Sequence, residues 1–422
     1  MTTTAVRRTV NRFPVTTANR LYWALILVAV LLICSAPAVT QTTRKARPKK
    51  QTQTPTARTN ASFERFVKLA DEARQAERFE EALSLYGEAL KIRPKWPEGW
   101  WYVGAIFYQK DQYPQARDAF QNLVALEPER GPAWAMLGLC LFQTAEYERA
   151  AVSLQRGRSL GVNDKSELAD VVRYHTALMY LRFEYFENAY DILSEFVRVG
   201  HESSKVIEAF GLAMLRMPVL PKDIPPDQRE KVLIAGRAGY SMSARRLDQA
   251  RAAFDVLLAR YPNDPNIHYS FGVFMLSQDA DVALKEFKRE LEISAGHYAS
   301  MTQMAFEYMK RGQYDDALPL AEKAVQLAPK LYAARNVLGR VLLEIGQVER
   351  AITELEEGVR LAPASPEMYF ALARAYTRAG RKQEAARARE TFKKLQDEFN
   401  QKRQLDKSGS AADQKPESPN PR

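Results

Sequence analysis

The residues that could carry out chemistry are scattered along this chain. Its four histidines lie far apart, and none has a second metal ligand at the spacing that zinc sites use. His201-Glu202 begins the pattern of a zinc-protease helix, but Lys205 stands where that pattern requires a second histidine. The sequence therefore predicts no metal site. The four histidines are His175, His201, His268 and His297.

Other candidates for catalysis are better explained as ordinary parts of helices. Cys140 lies in an apolar helical pattern with no basic neighbour to activate its thiol, so we expect a small core residue. Acidic pairs such as Asp315-Asp316 fall at positions expected to face solvent, and the sequence has no glycine-rich phosphate loop. We expect no catalytic residue and no cofactor. An enzyme with an unrecognised site is the least favoured alternative.

The charge of the chain is concentrated at its N-terminus. The sequence has 61 basic and 51 acidic residues, and ten of the basic ones but none of the acidic ones lie in residues 1–60. Residues 61–422 therefore hold 51 residues of each sign and are neutral overall. Because nucleic-acid binding needs a basic excess, we do not expect it from the body of the protein.

The first 38 residues have the pattern of an export signal. Arginines precede an apolar run at 21–34, and Ala36 and Ala38 are the small residues that a signal peptidase recognises. We expect cleavage after Ala38, so that 1–38 is a signal peptide. The alternative is an uncleaved inner-membrane anchor at 21–39. Both place the body in the periplasm or cell envelope.

Two segments are too polar to bury a core. Residues 39–60 are rich in Thr, Gln, Pro and basic residues, and we expect a disordered basic linker there. Its basic cluster allows contact with anionic lipid, although a solvated spacer is the simpler interpretation. We expect a second disordered segment, a tail, at 404–422.

A period of 34 residues organises the rest of the chain. Units numbered from place 1 carry aromatic or apolar residues at places 4, 7 and 11, small residues at places 8 and 20, and often proline at place 32. Places 4, 7, 8 and 11 fall on one face of a helix, the small residues let two helices approach closely, and proline ends the second helix. The units in register start at Phe63, Pro97, Gly131, Tyr298, Tyr332 and Pro366.

This pattern resembles the tetratricopeptide repeat family over roughly residues 61–400. The resemblance implies an all-α fold: a right-handed superhelical solenoid of about nine antiparallel helical hairpins, placed at 61–403. It also implies a protein–protein interaction scaffold that binds a protein or peptide segment in its concave groove. The alternative is a structural repeat protein that self-assembles through its end repeats.

One region departs from the family pattern. Residues 204–217 are typical of a first helix, but four prolines between Pro218 and Pro226 replace the second helix. Helical patterns then resume at 228–242 and 247–261. A helix over 204–217 is about 21 Å long, and nine extended residues reach about 30 Å. We therefore predict that the proline segment runs back, so that 228–242 lies parallel to 204–217.

The resemblance places ligand contacts at places 2, 5, 9 and 12 of the first helices. In the second to fourth units these places are unusually apolar, which predicts a continuous binding patch; places 5 and 12 have core packing as an alternative. Later units have Arg340 and Arg374 at place 9. The family's clamp for terminal carboxylates needs Lys and Asn at places 5 and 9 of one unit. The first repeat unit has Val67 and Asp71 there, so the clamp is not expected. The predicted binding residues are Trp101, Tyr108, Leu139, Phe142, Tyr174 and Leu178.

Overall fold

The computed structural model describes residues 55–162 and 166–412. The predicted signal peptide at 1–38, the alternative anchor at 21–39 and most of the predicted linker lie outside these residues. In the described part, no helix is both long and apolar enough to cross a bilayer. The chain divides into two compact units, Met1–Ala244 and Arg245–Arg422.

The first unit contains ten α-helices and two 3-10 turns within its described residues. The 3-10 turns are Pro221–Asp223 and Pro226–Gln228. The helices are α1 (Pro55–Gln75), α2 (Phe79–Ile92), α3 (Pro97–Gln109), α4 (Tyr113–Leu126), α5 (Gly131–Gln143), α6 (Tyr147–Leu160), α7 (Glu167–Arg182), α8 (Phe186–Arg198), α9 (Ser204–Met214) and α10 (Arg229–Ser243).

The second unit contains nine α-helices up to residue 412. They are α11 (Leu247–Arg260), α12 (Ile267–Met275), α13 (Ala280–Ile293), α14 (Tyr298–Lys310), α15 (Tyr314–Leu327), α16 (Tyr332–Glu344), α17 (Val348–Leu361), α18 (Pro366–Arg378) and α19 (Lys382–Ala412).

Consecutive helices pack as hairpins in both units. The first unit has four, from α1–α2 to α7–α8, and the second has four, from α12–α13 to α18–α19. Helices α10 and α11 are consecutive in sequence on either side of the boundary between the units. No strand occurs in the described residues. The predicted all-α fold of helical hairpins is confirmed.

The small residues of the repeat hold the two helices of a hairpin together. A Cβ on Gly104 at place 8 would lie 2.9 Å from the ring of Phe120, so only glycine fits there. Prolines at place 32, such as Pro94 and Pro128, follow the ends of their second helices by two residues. The alanines at place 20 are fully buried: Ala82, Ala116, Ala150, Ala317 and Ala351.

One hydrogen bond recurs between successive hairpins. The indole Nε1 of Trp100 donates to the carbonyl of Pro94 at 2.8 Å, and Trp134 donates in the same way to Pro128. Each bond joins place 4 of one unit to place 32 of the unit before it. The repeat therefore fixes the stacking of hairpins as well as the pairing of helices.

Both ends of the predicted repeat region extend further than expected. Helix α1 begins at Pro55, so the expected linker at 39–60 is wrong for residues 55–60. Asn60 accepts a hydrogen bond from Arg93 at 3.1 Å, which ties the start of α1 to the end of α2. Helix α19 continues to Ala412, so the expected disordered tail at 404–422 is wrong for 404–412. No proline interrupts the sequence there before Pro416.

Helices α9 and α10 run parallel, as the length of the proline segment predicts. The carbonyl of Ile207 lies against Gly236 and that of Val232 lies against Gly211, so the segment 207–211 of α9 faces the segment 232–236 of α10. Near their ends, the Met214 side chain lies against Gly239. The contacts therefore advance in the same direction along both helices. The prediction is confirmed.

The proline segment packs against α9 rather than looping away from it. Leu220 and Ile224 are buried, and the 3-10 turn between them contacts α9. The guanidinium of Arg229, at the start of α10, donates to the carbonyl of Pro221. The chain thus returns towards the start of α9 before α10 begins.

Candidate functional site: the groove face of the first helices

We define the groove face as places 5, 9, 12 and 13 of the first helix of each repeat. All six predicted binding residues lie in the first of the two compact units, and three of them are not available to a partner. Tyr108, Leu139 and Leu178 are 9%, 1% and 3% exposed. The prediction that they line an open groove is wrong, because all three side chains are buried. The first helices α5 and α7, which carry Leu139 and Leu178, contact each other.

The other three predicted residues are half-buried and form two clusters. Trp101 packs edge-on against Phe120, with ring centroids 5.7 Å apart. Phe142 and Tyr174 both contact the ring of His175, at 4.7 and 5.6 Å. Burial lowers the pKa of His175 to about 4, so this ring is neutral at pH 7. In the described residues, no ring contact joins Trp101 to Phe142, so the two clusters are separate aromatic contacts.

The second unit has an open cavity on its groove face. Its volume is about 540 Å³. Phe370, at place 5 of α18, is 52% exposed and lies on the cavity wall, 5.5 Å from Phe392 of α19 between ring centroids. We call this cavity the arginine groove. It is lined by Phe370, Ala373, Arg374, Thr377, Arg378, Arg389 and Phe392.

Two arginines of the groove share one carboxylate. Glu344 of α16 accepts hydrogen bonds from Arg374 at 2.7 Å and from Arg378 at 3.1 Å. Burial raises the pKa of Glu344, but these charged donors outweigh burial and the net pKa is lowered. Glu344 is therefore ionised at neutral pH and orients both guanidinium groups.

Arg340 stands beside this pair and has no carboxylate of its own. Its guanidinium lies over the ring of Phe306, 5.3 Å from the centroid. Within the described part of the chain, no acidic side chain lies within ion-pair distance of it. Burial, and then the positive charge of Arg374, lower the pKa of Arg340. The groove face thus carries a partly desolvated cation.

Part of this site could be predicted from the sequence. Arg340 and Arg374 are 34 residues apart and share place 9, so the repeat places them side by side on adjacent first helices. Phe370 was missed, although it occupies place 5. Arg389 was missed because it comes from α19, a second helix, and the pattern of first helices says nothing about it.

The candidates for catalysis remain separate in the structure. In residues 55–162 and 166–412, no three or more His, Cys, Asp or Glu residues are placed to hold a metal ion. His201 pairs with Asp170 at an exposed site. Cys140 is buried, as predicted, and burial raises the pKa of its thiol.

Three family models match the chain, and all describe repeats of one type. The model of the middle TPR-like domain of cilia and flagella-associated protein 70 matches residues 66–199. Two tetratricopeptide repeat models match residues 237–264 and 308–369. This chain belongs to the tetratricopeptide repeat family. Among curated proteins, none matches the chain.

Solved tetratricopeptide repeat structures resemble part of the chain. The MamA RS-1 ArsTM double mutant is 21% identical over 40% of this chain and 96% of its own, with a TM-score of 0.36. MamA 41-end from Desulfovibrio magneticus RS-1 is 23% identical over 39% and 92%, with a TM-score of 0.34. YrrB, described as a TPR protein with an unusual peptide-binding site, is 19% identical over 38% and 82%, with a TM-score of 0.33. We draw no conclusion about function from these similarities.

Proposed function

We propose that this protein is an interaction scaffold that holds a segment of a partner protein in the arginine groove. The observation that supports this most is the exposure of Phe370 beside an open cavity. Unlike a single exposed apolar residue, Phe370 lines a cavity together with a second ring, Phe392, and so offers apolar area to a ligand. The half-buried aromatics of the first unit offer less free area, because they pack against one another.

The groove combines apolar area with charge. Burying the Phe370 side chain under a partner contributes about 2 kcal/mol, which corresponds to about thirtyfold in affinity. Arg374 and Arg378 are held in place by Glu344, so little side-chain entropy is lost when they meet a ligand. No residue of the groove needs to act as acid, base or nucleophile in this proposal, so no enzymatic activity is assigned.

Two matched variants test the proposed site. Phe370→Asp places a charge in the groove, whereas Phe399→Asp places one on α19 outside the groove lining. The two side chains are 52% and 53% exposed, so neither change should disturb the core. We expect full-length Phe370→Asp to lose captured partner protein, measured by quantitative mass spectrometry, while Phe399→Asp retains it at equal melting temperature.

The other outcomes are informative as well. Equal capture by both variants would place the partner elsewhere and reject the groove. If Phe399→Asp instead dissociated an oligomer in light scattering, the end of the array would be a self-assembly surface, and the structural repeat protein would be the better interpretation.

We also propose that the protein is exported to the periplasm or cell envelope. The support is the order of basic residues, apolar run and Ala36-x-Ala38 site in the sequence. N-terminal sequencing of protein from the envelope fraction should find a chain that begins at Val39, or at Met1 if 21–39 is an anchor. Full-length protein in the soluble cytosol would reject export.

A further inference from the structure

We propose that the partner segment is an acidic peptide that carries an apolar residue between its carboxylates; this rests on the proposed function of the arginine groove. The carboxylates would meet the guanidinium groups, and the apolar residue would lie on Phe370 and Phe392.

The groove carries an excess of positive charge. Arg340, Arg374, Arg378 and Arg389 all lie on or beside it, and each carries a permanent positive charge. In the described part of the chain, Glu344 is the one carboxylate within ion-pair distance of any of them. The site therefore has an excess of three positive charges, which a ligand with carboxylates would neutralise.

Two guanidinium groups of the groove have hydrogen-bond donors left for a ligand. Arg389 donates to the Thr377 hydroxyl at 2.6 Å, which directs it along the groove wall. Arg340 lies over Phe306 and has no hydrogen-bond acceptor among the described residues. A guanidinium has five donor N–H groups in a planar fork that matches a carboxylate. Both arginines therefore retain donors for a ligand.

The apolar walls of the groove favour a peptide over other anionic ligands. The rings of Phe370 and Phe392 lie 5.5 Å apart between centroids, within the same cavity as the arginines. A phosphate backbone or a lipid headgroup would use the charge but leave these rings uncovered. Residues 61–422 also lack the overall basic excess that binding to nucleic acid or an anionic membrane favours. A peptide with both acidic and apolar side chains fits the whole site.

The test uses full-length protein and two labelled peptides. One peptide consists of Glu and Ser around a single Phe; the other has Gln in place of every Glu. We expect fluorescence anisotropy to show at least about tenfold tighter binding of the Glu peptide at low salt, because hydrogen bonds between charged groups are the stronger ones. The preference should shrink as ionic strength rises.

Matched variants locate the effect. Arg389→Gln and Arg340→Gln should each weaken binding of the Glu peptide about tenfold. Arg387→Gln is the control, because Arg387 is exposed on the same helix as Arg389 but does not line the groove. It should bind like the unmodified protein.

Several results would overturn the acidic ligand. Equal affinity for the two peptides, or no binding of either, would be such a result. So would a loss of Glu-peptide affinity in Arg387→Gln equal to that in Arg389→Gln. Binding of a DNA oligonucleotide or a phosphatidylserine vesicle through these arginines, in place of the Glu peptide, would also be such a result. If the Gln peptide binds as well and Phe370→Asp abolishes its binding, the groove remains the binding site and only the acidic preference is rejected. If neither peptide binds, capture by Phe370→Asp and Phe399→Asp decides the proposed function separately.

Discussion

The carbonyl oxygen of Val232 occupies the space that a Cβ on Gly211 would fill. The reciprocal contact joins Gly236 to the carbonyl of Ile207, so α9 and α10 touch through their backbones. This close approach accompanies the parallel arrangement of two first helices with no second helix between them.

Substitution of Gly211 tests that contact. Gly211→Ala should destabilise the protein by about 2 kcal/mol, because the added methyl group overpacks the helix interface. Gly87→Ala is the control: Gly87 lies in α2 with open space around its Cβ position, so alanine should stabilise that helix by up to about 1 kcal/mol. Urea denaturation followed by circular dichroism measures both changes. Two stabilised variants would show that α9 and α10 are not in backbone contact.

Leu139 and Leu178 should behave as core residues. Truncation of either to alanine should cost about 2–5 kcal/mol, because each leaves a cavity in a packed interior. Val152→Ala, at a side chain that is 67% exposed in the same unit, should change stability by no more than about 0.5 kcal/mol. Thermal denaturation compares the three. If Leu139→Ala has unchanged stability but loses partner capture, the original assignment of Leu139 to the groove is restored.

The pair His268–Glu286 should make stability depend on pH. Nδ1 of His268 lies 2.6 Å from Glu286, and Nε2 lies 3.0 Å from the carbonyl of Pro262. The hydrogen bond with Glu286 raises the pKa of His268 above its ordinary value, against the effect of burial, and the nearby Glu290 carboxylate adds to the rise. Protonated His268 is therefore favoured in the folded state.

The sign of the effect follows from this direction. The stabilisation is fully present below the pKa of about 6.5 that histidine has in the unfolded chain, and it is lost as pH rises through the higher folded pKa. We expect the difference in free energy of unfolding between the unmodified protein and His268→Gln to decrease from pH 6 to pH 9. Glu286→Gln should remove the same pH-dependent part. An increase with pH in either comparison would contradict a raised pKa.

Much of the fold follows from the repeat in the sequence. Helices α3, α5, α14, α16 and α18 begin at the residues where the 34-residue units start. The parallel arrangement of α9 and α10 follows from the number of residues in the proline segment, since chain length limits where the next helix begins. These features depend on local pattern and distance along the chain.

The binding site follows from the sequence less completely. The helical period shows that Leu139 faces away from its own hairpin partner, but not that a neighbouring first helix covers it. Arg340 and Arg374 were visible as a pair because they share a place in the repeat. Their position relative to Arg389 depends on how α19 packs against α18. The periodicity of the first helices gives no information about that packing.

The central claim is that a partner protein occupies the arginine groove, and site-specific photo-crosslinking tests it most directly. A benzophenone side chain replaces Phe370 in one full-length variant and Phe399 in another, and both are irradiated in cells. We predict a crosslinked polypeptide from position 370 and none from position 399. No crosslink from position 370, or the same crosslink from both positions, would contradict the account.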